Sequence, residues 1–246
     1  MPQHDFRAPR LYVDAPLAAG NGVVLDRDQA NYLGNVLRLS SGAKILVFNG
    51  RDGEWQATLA GRKRADRAEI VSQTRPQDSL PDLHYVFAPL KHARLDYMAQ
   101  KAVEMGASAL RPVTTRHTQA SRLNVERMRA NVIEAAEQCG VLVIPEIPPE
   151  TRLPQALDAL PADRLVVFCD EDAPLADPVA ALTAAPPARG VALVIGPEGG
   201  FDPAERDAIL ARPAICRLSL GPRILRADTA AVAALAVIQA VRGDWR

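Results

Sequence analysis

Two runs of five residues, Leu165–Cys169 and Val191–Ile195, carry no charged or strongly polar side chain at any position. A strand with one wet face alternates apolar and polar residues. An unbroken apolar run suits a strand covered on both faces, as in a parallel sheet flanked by helices. Residues 84–90 and 110–113 read as further strands. Between them Leu95, Met98, Ala102 and Met105 recur at helical spacing, and Gly106 follows as a C-terminal cap. Val125–Cys139 reads as a long helix ended by Gly140. Strands alternating with helices make the C-terminal two-thirds an α/β domain.

The first 75 residues have a different period. Leu11-Tyr12-Val13, Gly22-Val23-Val24-Leu25, Lys44-Ile45-Leu46-Val47-Phe48 and Glu54-Trp55-Gln56-Ala57-Thr58-Leu59 are short strand-like spans. Turn sequences such as Gly20-Asn21-Gly22 and Asn49-Gly50-Arg51-Asp52-Gly53 separate them, the pattern of a small β-barrel. A helical insertion is expected over residues 28–37, with Tyr32, Leu33, Val36 and Leu37 on one face. The polar stretch 74–81 contains two prolines and marks the boundary. The expected organisation is a domain over 1–75, a linker over 76–83 and the α/β domain over 84–246.

Lys plus Arg and Asp plus Glu each number 29, so the net charge is zero, and 48% of residues are hydrophobic. General disorder is excluded by that apolar content. Indiscriminate coating of nucleic acid or membrane is excluded by the balance. The balance is uneven along the chain: net +3 over 1–75, +5 over 84–130 and −7 over 131–190. Two basic segments fit selective contact with a polyanion, although the counts alone are more simply those of an uneven solvated surface.

Three cysteines without a CxxC pair argue against a disulfide framework or a zinc site. Cys169 and Cys216 read as buried small hydrophobes. His4, His84, His92 and His117 lack metal-ligand spacing, and no metal is expected. The N-terminus lacks a basic-then-apolar signal pattern, and the Ala-rich stretch 230–241 falls far short of the roughly 20 apolar residues of a membrane span. A cytoplasmic protein is expected.

Chemistry concentrates in two segments. In Val191-Ala192-Leu193-Val194-Ile195-Gly196-Pro197-Glu198-Gly199-Gly200-Phe201 a buried strand ends in a glycine-rich loop. Asp202 then stands at a helix N-cap, Pro203 at the first helical position and Glu205 three residues after the cap. Glycines at the carboxyl end of a buried strand let a ligand approach the backbone, or simply allow a tight turn. In Leu218-Ser219-Leu220-Gly221-Pro222-Arg223-Ile224-Leu225-Arg226-Ala227-Asp228-Thr229 a strand again runs into a loop and then an Ala-rich helix. Ile224 and Leu225 suit an aromatic-ring pocket, the flanking guanidinium groups suit phosphate or a base oxygen, and Asp228 or, above all, Thr229 suits a helix cap. Neither a Walker sequence nor a dinucleotide fingerprint occurs.

Together, Ile195-Gly196-Pro197-Glu198-Gly199-Gly200-Phe201 and Leu220-Gly221-Pro222-Arg223-Ile224-Leu225-Arg226 resemble the 16S rRNA (uracil(1498)-N(3))-methyltransferase family. Gln100-Lys101-Ala102-Val103-Glu104-Met105-Gly106-Ala107, Glu137-Gln138-Cys139-Gly140 and Tyr32-Leu33-Gly34-Asn35-Val36-Leu37-Arg38-Leu39 support it in the same order along the chain. Asp228 stands where the family commonly has Glu, Asn31 where a histidine is frequent, and Val141 where a basic residue is usual.

The resemblance implies a SPOUT-type parallel sheet with a C-terminal trefoil knot, preceded by a PUA-like β-barrel, acting as a homodimer on 16S rRNA of the small ribosomal subunit. The implied cofactor is S-adenosylmethionine, held by Cys169, Leu193, Gly196, Gly199, Gly200, Leu218, Leu220, Gly221, Ile224 and Leu225. Arg226 is the candidate for stabilising the anion that develops on a uracil deprotonated at N3, Arg223 for positioning the base or its phosphate, and Glu198 for ordering the loop or assisting proton removal. Arg38, Arg62, Lys63, Arg64, Lys91, Arg94 and Arg116 are the candidate RNA contacts. The alternatives are a related enzyme acting on another RNA such as transfer RNA, and a non-catalytic ribosome assembly factor.

Overall fold

The computed structural model describes residues 8–61, 65–119, 123–174 and 177–245. They form two compact units, one of residues 1–79 with 136–144, the other of residues 80–135 with 145–246.

The first unit contains β1 (Arg10–Tyr12), β2 (Gly22–Val24), α1 (Arg27–Asn31), β3 (Lys44–Phe48), β4 (Glu54–Ala60) and β5 (Arg67–Arg75). Its strands are ordered β1-β3-β4-β5-β2, with β1 parallel to β3 and the other pairs antiparallel. Leu11, Val23, Leu33, Ile45, Val47, Leu59 and Ile70 fill its core. Asp26 and Gln29 form a reciprocal cap at the start of α1. Residues Tyr32–Val36 then continue as a π-helical turn, closed by the Leu37 N–H donating to the Tyr32 carbonyl. The wider turn changes the period that α-helical spacing assumed. Leu33 is fully buried and Leu37 packs on the core, but Tyr32 and Val36 face solvent, so the four do not share one face.

A buried ion network ties the first unit together. Arg10 Nε donates to Glu54 Oε2 at 2.7 Å, and Arg75 Nη2 and Nε donate to Glu54 Oε2 and Oε1 at 2.9 and 3.1 Å. The same arginines reach the returning segment 136–144: Arg10 Nη1 donates to the Glu137 carbonyl at 3.1 Å, and Arg75 Nη2 to the Gly140 carbonyl at 2.9 Å. The Glu-Gln-Cys-Gly sequence is therefore tied down by buried cations through its carbonyl oxygens.

The second unit contains β6 (Leu83–Phe87), α2 (His92–Glu104), β7 (Ala109–Thr114), α3 (Val125–Cys139), β8 (Thr151–Arg152), α4 (Leu153–Asp158), β9 (Leu165–Cys169), α5 (Pro178–Ala184), β10 (Val191–Ile195), α6 (Pro203–Leu210), β11 (Ile215–Leu218) and α7 (Ala227–Arg242). The final residues of α3 count with the first unit. The six strands are parallel, ordered β11-β9-β10-β6-β7-β8. Both faces are covered, as the apolar runs require. Val166, Phe168, Ala192 and Val194 pack with Leu153, Leu157 and Ile209 of α4 and α6. The alternate residues Leu165, Val167, Leu193 and Tyr85 are fully buried as well, and α7 packs on β10. Parallel pairing puts the carboxyl ends of β9, β10 and β11 along one edge. A ligand site is expected there because backbone groups beyond the last ladder bonds are free to meet it.

Candidate active site

Beyond β9 the chain reads Asp170-Glu171-Asp172. Asp170 is buried at 5% exposure, and an isolated carboxylate so placed would be costly. Two guanidinium groups offset that cost: Arg206 Nη2 of α6 donates to its Oδ2 at 2.8 Å and Arg217 Nε of β11 at 2.7 Å. Arg217 Nη2 also donates to the Asp172 carbonyl at 2.7 Å. One buried carboxylate thus fixes the β9 loop against α6 and β11.

The loop after β10 folds back on itself. A Cβ placed on Gly196 would lie 2.7 Å from the Phe201 ring, so only glycine allows this approach. Phe201 in turn packs edge-on against Phe168, with ring centroids 5.6 Å apart. The Gly200 N–H donates to the Pro197 carbonyl at 2.9 Å. Asp202 and Glu205 form the expected reciprocal cap, with Pro203 in the first turn of α6.

Glu198 pairs with Arg94 of α2, not with Arg223 or Arg226. Arg94 also forks onto Asp228, its Nε and Nη2 donating to Oδ2 and Oδ1 at 2.9 and 3.0 Å. Those bonds from Arg94 hold the Asp228 carboxyl below the usual carboxylate range. The start of α7 differs from expectation: Arg226 occupies the cap position without a side-chain bond, and the Thr229 N–H is satisfied by Asp228 Oδ1. Thr229 is therefore not the cap. Asp228, next in the chain, serves both the helix end and Arg94.

The loop after β11 turns at Gly221, whose φ of +95° favours glycine; a Cβ there would meet nothing within 4 Å. Beyond it Ile224 is 99% exposed, flanked by exposed Arg223 and Arg226. Two adjoining cavities open along the edge. One of about 530 Å³ lies between the β9 and β10 loops and the start of α7, with Glu198, Gly196, Gly200 and Arg226 in its wall. One of about 390 Å³ lies between the end of β9 and the loop after β11, lined by Leu218, Leu220, Gly221, Arg223 and Ile224. Cys169, Glu171 and Leu225 border both. These volumes suit a ligand of cofactor size. Burial pushes the Cys169 thiol up to about 12, so it packs as a neutral group.

The structure thus brings Arg226, Glu198, Gly196 and Gly200 to one cavity, Leu218, Leu220, Gly221 and Arg223 to its neighbour, and Cys169, Ile224 and Leu225 to both. Leu193 is not brought there; it is fully buried in the middle of β10. Gly199 is exposed and faces the His117 side chain, whose Nδ1 lies 3.2 Å from the Gly200 carbonyl. Arg94 is committed to its two carboxylates. Lys91 and Arg116 are exposed in the second unit. Arg38 is exposed in the first and has a φ of +56°, the one non-glycine residue in the left-handed region among those described. Arg62, Lys63 and Arg64 lie outside the described residues. Sequence reasoning missed Asp170, Arg206 and Arg217 as a unit. Among the described residues no His, Cys, Asp and Glu cluster could hold a metal, and no helix is long and apolar enough to cross a membrane.

Comparison with known proteins completes this picture. Residues 77–239 match the model of the RNA methyltransferase domain, and residues 25–66 that of the RNA methyltransferase PUA domain. The chain belongs to the ribosomal RNA small subunit methyltransferase E family. The chain is 30% identical to the protein of that name from Synechocystis over 89% of this chain and 73% of the relative. It is 28% identical to the one from Rickettsia conorii over 94% of each. A family structure from Neisseria gonorrhoeae bound to S-adenosylmethionine superposes with a TM-score of 0.83 at 28% identity, covering 98% of this chain and 100% of that one. A Legionella pneumophila structure in complex with S-adenosylmethionine gives 0.83 at 30% identity, covering 97% and 99%. The family match spans β9, β10, β11 and their three loops.

Proposed function

We propose that the chain methylates N3 of uridine 1498 in the 16S RNA of the small ribosomal subunit, with S-adenosylmethionine as donor. The observation that carries this reading is the pair of strand-end cavities, whose outer wall ends in a fully exposed Ile224 between two exposed arginines. An apolar residue left in water beside two guanidinium groups suits a flat base attached to a phosphate backbone. The relatives and the family match support methylation of small-subunit ribosomal RNA.

The residues present fit the cofactor. Nothing of the chain fills the space beside Gly221, while Leu218, Leu220, Ile224 and Leu225 offer an apolar wall for a purine. These residues, with Cys169, Gly196 and Gly200, would hold it. S-adenosylmethionine supplies a methyl group activated by a sulfonium. The chain's own part is to place the base and favour loss of the N3 proton. Arg226 at the cavity wall stabilises the negative charge that develops on the uracil oxygens, and Arg223 holds the base or its phosphate. Glu198, paired with Arg94, orders the glycine loop.

We further infer that the C-terminal segment forms a trefoil knot, a reading supported by the chain crossing from β10 past β9 to reach β11. The active form is a cytoplasmic homodimer. Residues 1–75 are a PUA-like module that holds RNA through Arg38, Arg62, Lys63 and Arg64, with Lys91 and Arg116 serving the α/β unit of residues 80–135 and 145–246. Mass spectrometry of small-subunit RNA from a strain lacking the gene tests the assignment. Loss of 3-methyluridine at position 1498, restored by the wild-type gene but not by one carrying Arg226→Ala, is expected. Persistence of the modified base in the deletion strain would overturn it.

A further inference from the structure

The charged side chains around the two cavities pair off, with three exceptions. Asp170 is held by Arg206 and Arg217, Asp172 lies 3.7 Å from Arg206, and Glu198 is held by Arg94. The side chains of Glu171, Arg223 and Arg226 make no ion pair or hydrogen bond among the described residues. Two uncommitted cations on the outer loop suit an anionic substrate. One uncommitted anion remains, and nothing in the methyl-acceptor chemistry uses it.

Glu171 is exposed, and it borders both cavities. A Cβ added to Gly200 would lie 3.5 Å from its Oε1, so the carboxylate reaches across to the glycine loop on the other side of the larger cavity. Resting on the cofactor reading above, we propose that Glu171 is the anionic contact for the cationic half of S-adenosylmethionine and sets the preference for the charged donor over neutral thioethers. The adenosine half of that ligand is uncharged, whereas its other half carries a sulfonium, an ammonium and a carboxylate and is net positive. A carboxylate in a partly enclosed site attracts such a group, and the other acidic groups nearby are already neutralised by arginines. The backbone walls of the second cavity can recognise the adenosine but cannot sense the charge on sulfur. A charged residue at the junction of the cavities can.

Because Glu171 is exposed, its effect is modest and sensitive to salt. Calorimetry on the full chain, wild type and Glu171→Gln, with S-adenosylmethionine, S-adenosylhomocysteine and 5′-methylthioadenosine tests the proposal. The third ligand lacks the sulfonium, the ammonium and the carboxylate. The variant is expected to bind S-adenosylmethionine about two- to fivefold more weakly at low salt, with the difference shrinking in high salt and Glu171→Asp recovering part of it. Affinity for 5′-methylthioadenosine should be unchanged. If S-adenosylhomocysteine is unaffected or weakens less, the contact senses the sulfonium and the proposal stands; if it weakens as much as S-adenosylmethionine, the contact is to the shared ammonium and the proposed preference for the charged donor is overturned. Equal weakening of all three ligands would reveal a merely structural role and overturn it, as would unchanged affinity for S-adenosylmethionine. Absence of S-adenosylmethionine binding by the wild type would instead refute the cofactor reading itself.

Discussion

Replacing Glu54 by Gln should cost the first unit about 3 kcal/mol at neutral pH, with an effect that fades in acid. The carboxylate is 3% exposed, and its partners Arg10 and Arg75 are 4% and 8% exposed. Glutamine keeps the shape but leaves two buried guanidinium groups without an anion. Breaking a buried pair in this way typically costs 3–5 kcal/mol. A second route gives a similar figure. Burial alone would raise the Glu54 carboxyl, but hydrogen bonds from Arg75, Arg10 and Thr74 outweigh it and hold the group at about 2, against 4.5 unperturbed. A folded-state value depressed that far contributes about 3 kcal/mol above pH 4.5, lost as the pH falls through 2. At pH 3 the difference between wild type and variant should therefore have narrowed by about 2 kcal/mol. Urea unfolding followed by Trp55 fluorescence, in a Trp245→Phe background, reports on this unit alone. A difference below 1 kcal/mol at pH 7, or one that does not change with pH, would refute the reasoning.

Arg226→Ala should lower turnover on the small subunit by about 10²- to 10³-fold with cofactor affinity within a factor of about three of wild type, as calorimetry and single-turnover rates would show. Arg223→Ala should raise KM for RNA and flatten its salt dependence, a change that filter binding at several ionic strengths detects. Gly196→Ala forces a methyl into the Phe201 ring and should destabilise the loop by about 1–3 kcal/mol, which weakens calorimetric binding of S-adenosylmethionine about tenfold or more.

β9 and β10 were legible because burial on both faces removes polar residues from them entirely, whereas the strand expected over 84–90 is β6, Leu83–Phe87. Leu165–Cys169, Val191–Ile195 and the helix Val125–Cys139 fall where the apolar pattern put them. β5 was not legible, since its buried Ala68 and Ile70 sit among exposed charged and polar side chains. The π-helical turn defeated the face assignment at Tyr32 and Val36 because sequence spacing assumes 3.6 residues per turn. The pairings that shape the site join residues far apart in sequence, 36 and 47 positions for Asp170 with Arg206 and Arg217, and 134 for Arg94 with Asp228. No local pattern announces them. The glycines and the Arg-Ile-Leu-Arg loop could be read in advance because they follow the ends of recognisable strands.

Incubating the purified chain with small ribosomal subunits and S-adenosylmethionine carrying a deuterated methyl group tests the central claim most directly. Nuclease mapping with mass spectrometry should find a single labelled nucleotide, 3-methyluridine at position 1498 of the 16S RNA, with none formed by Arg226→Ala. Label at another atom or another position, or no label in the wild-type reaction, would contradict the account.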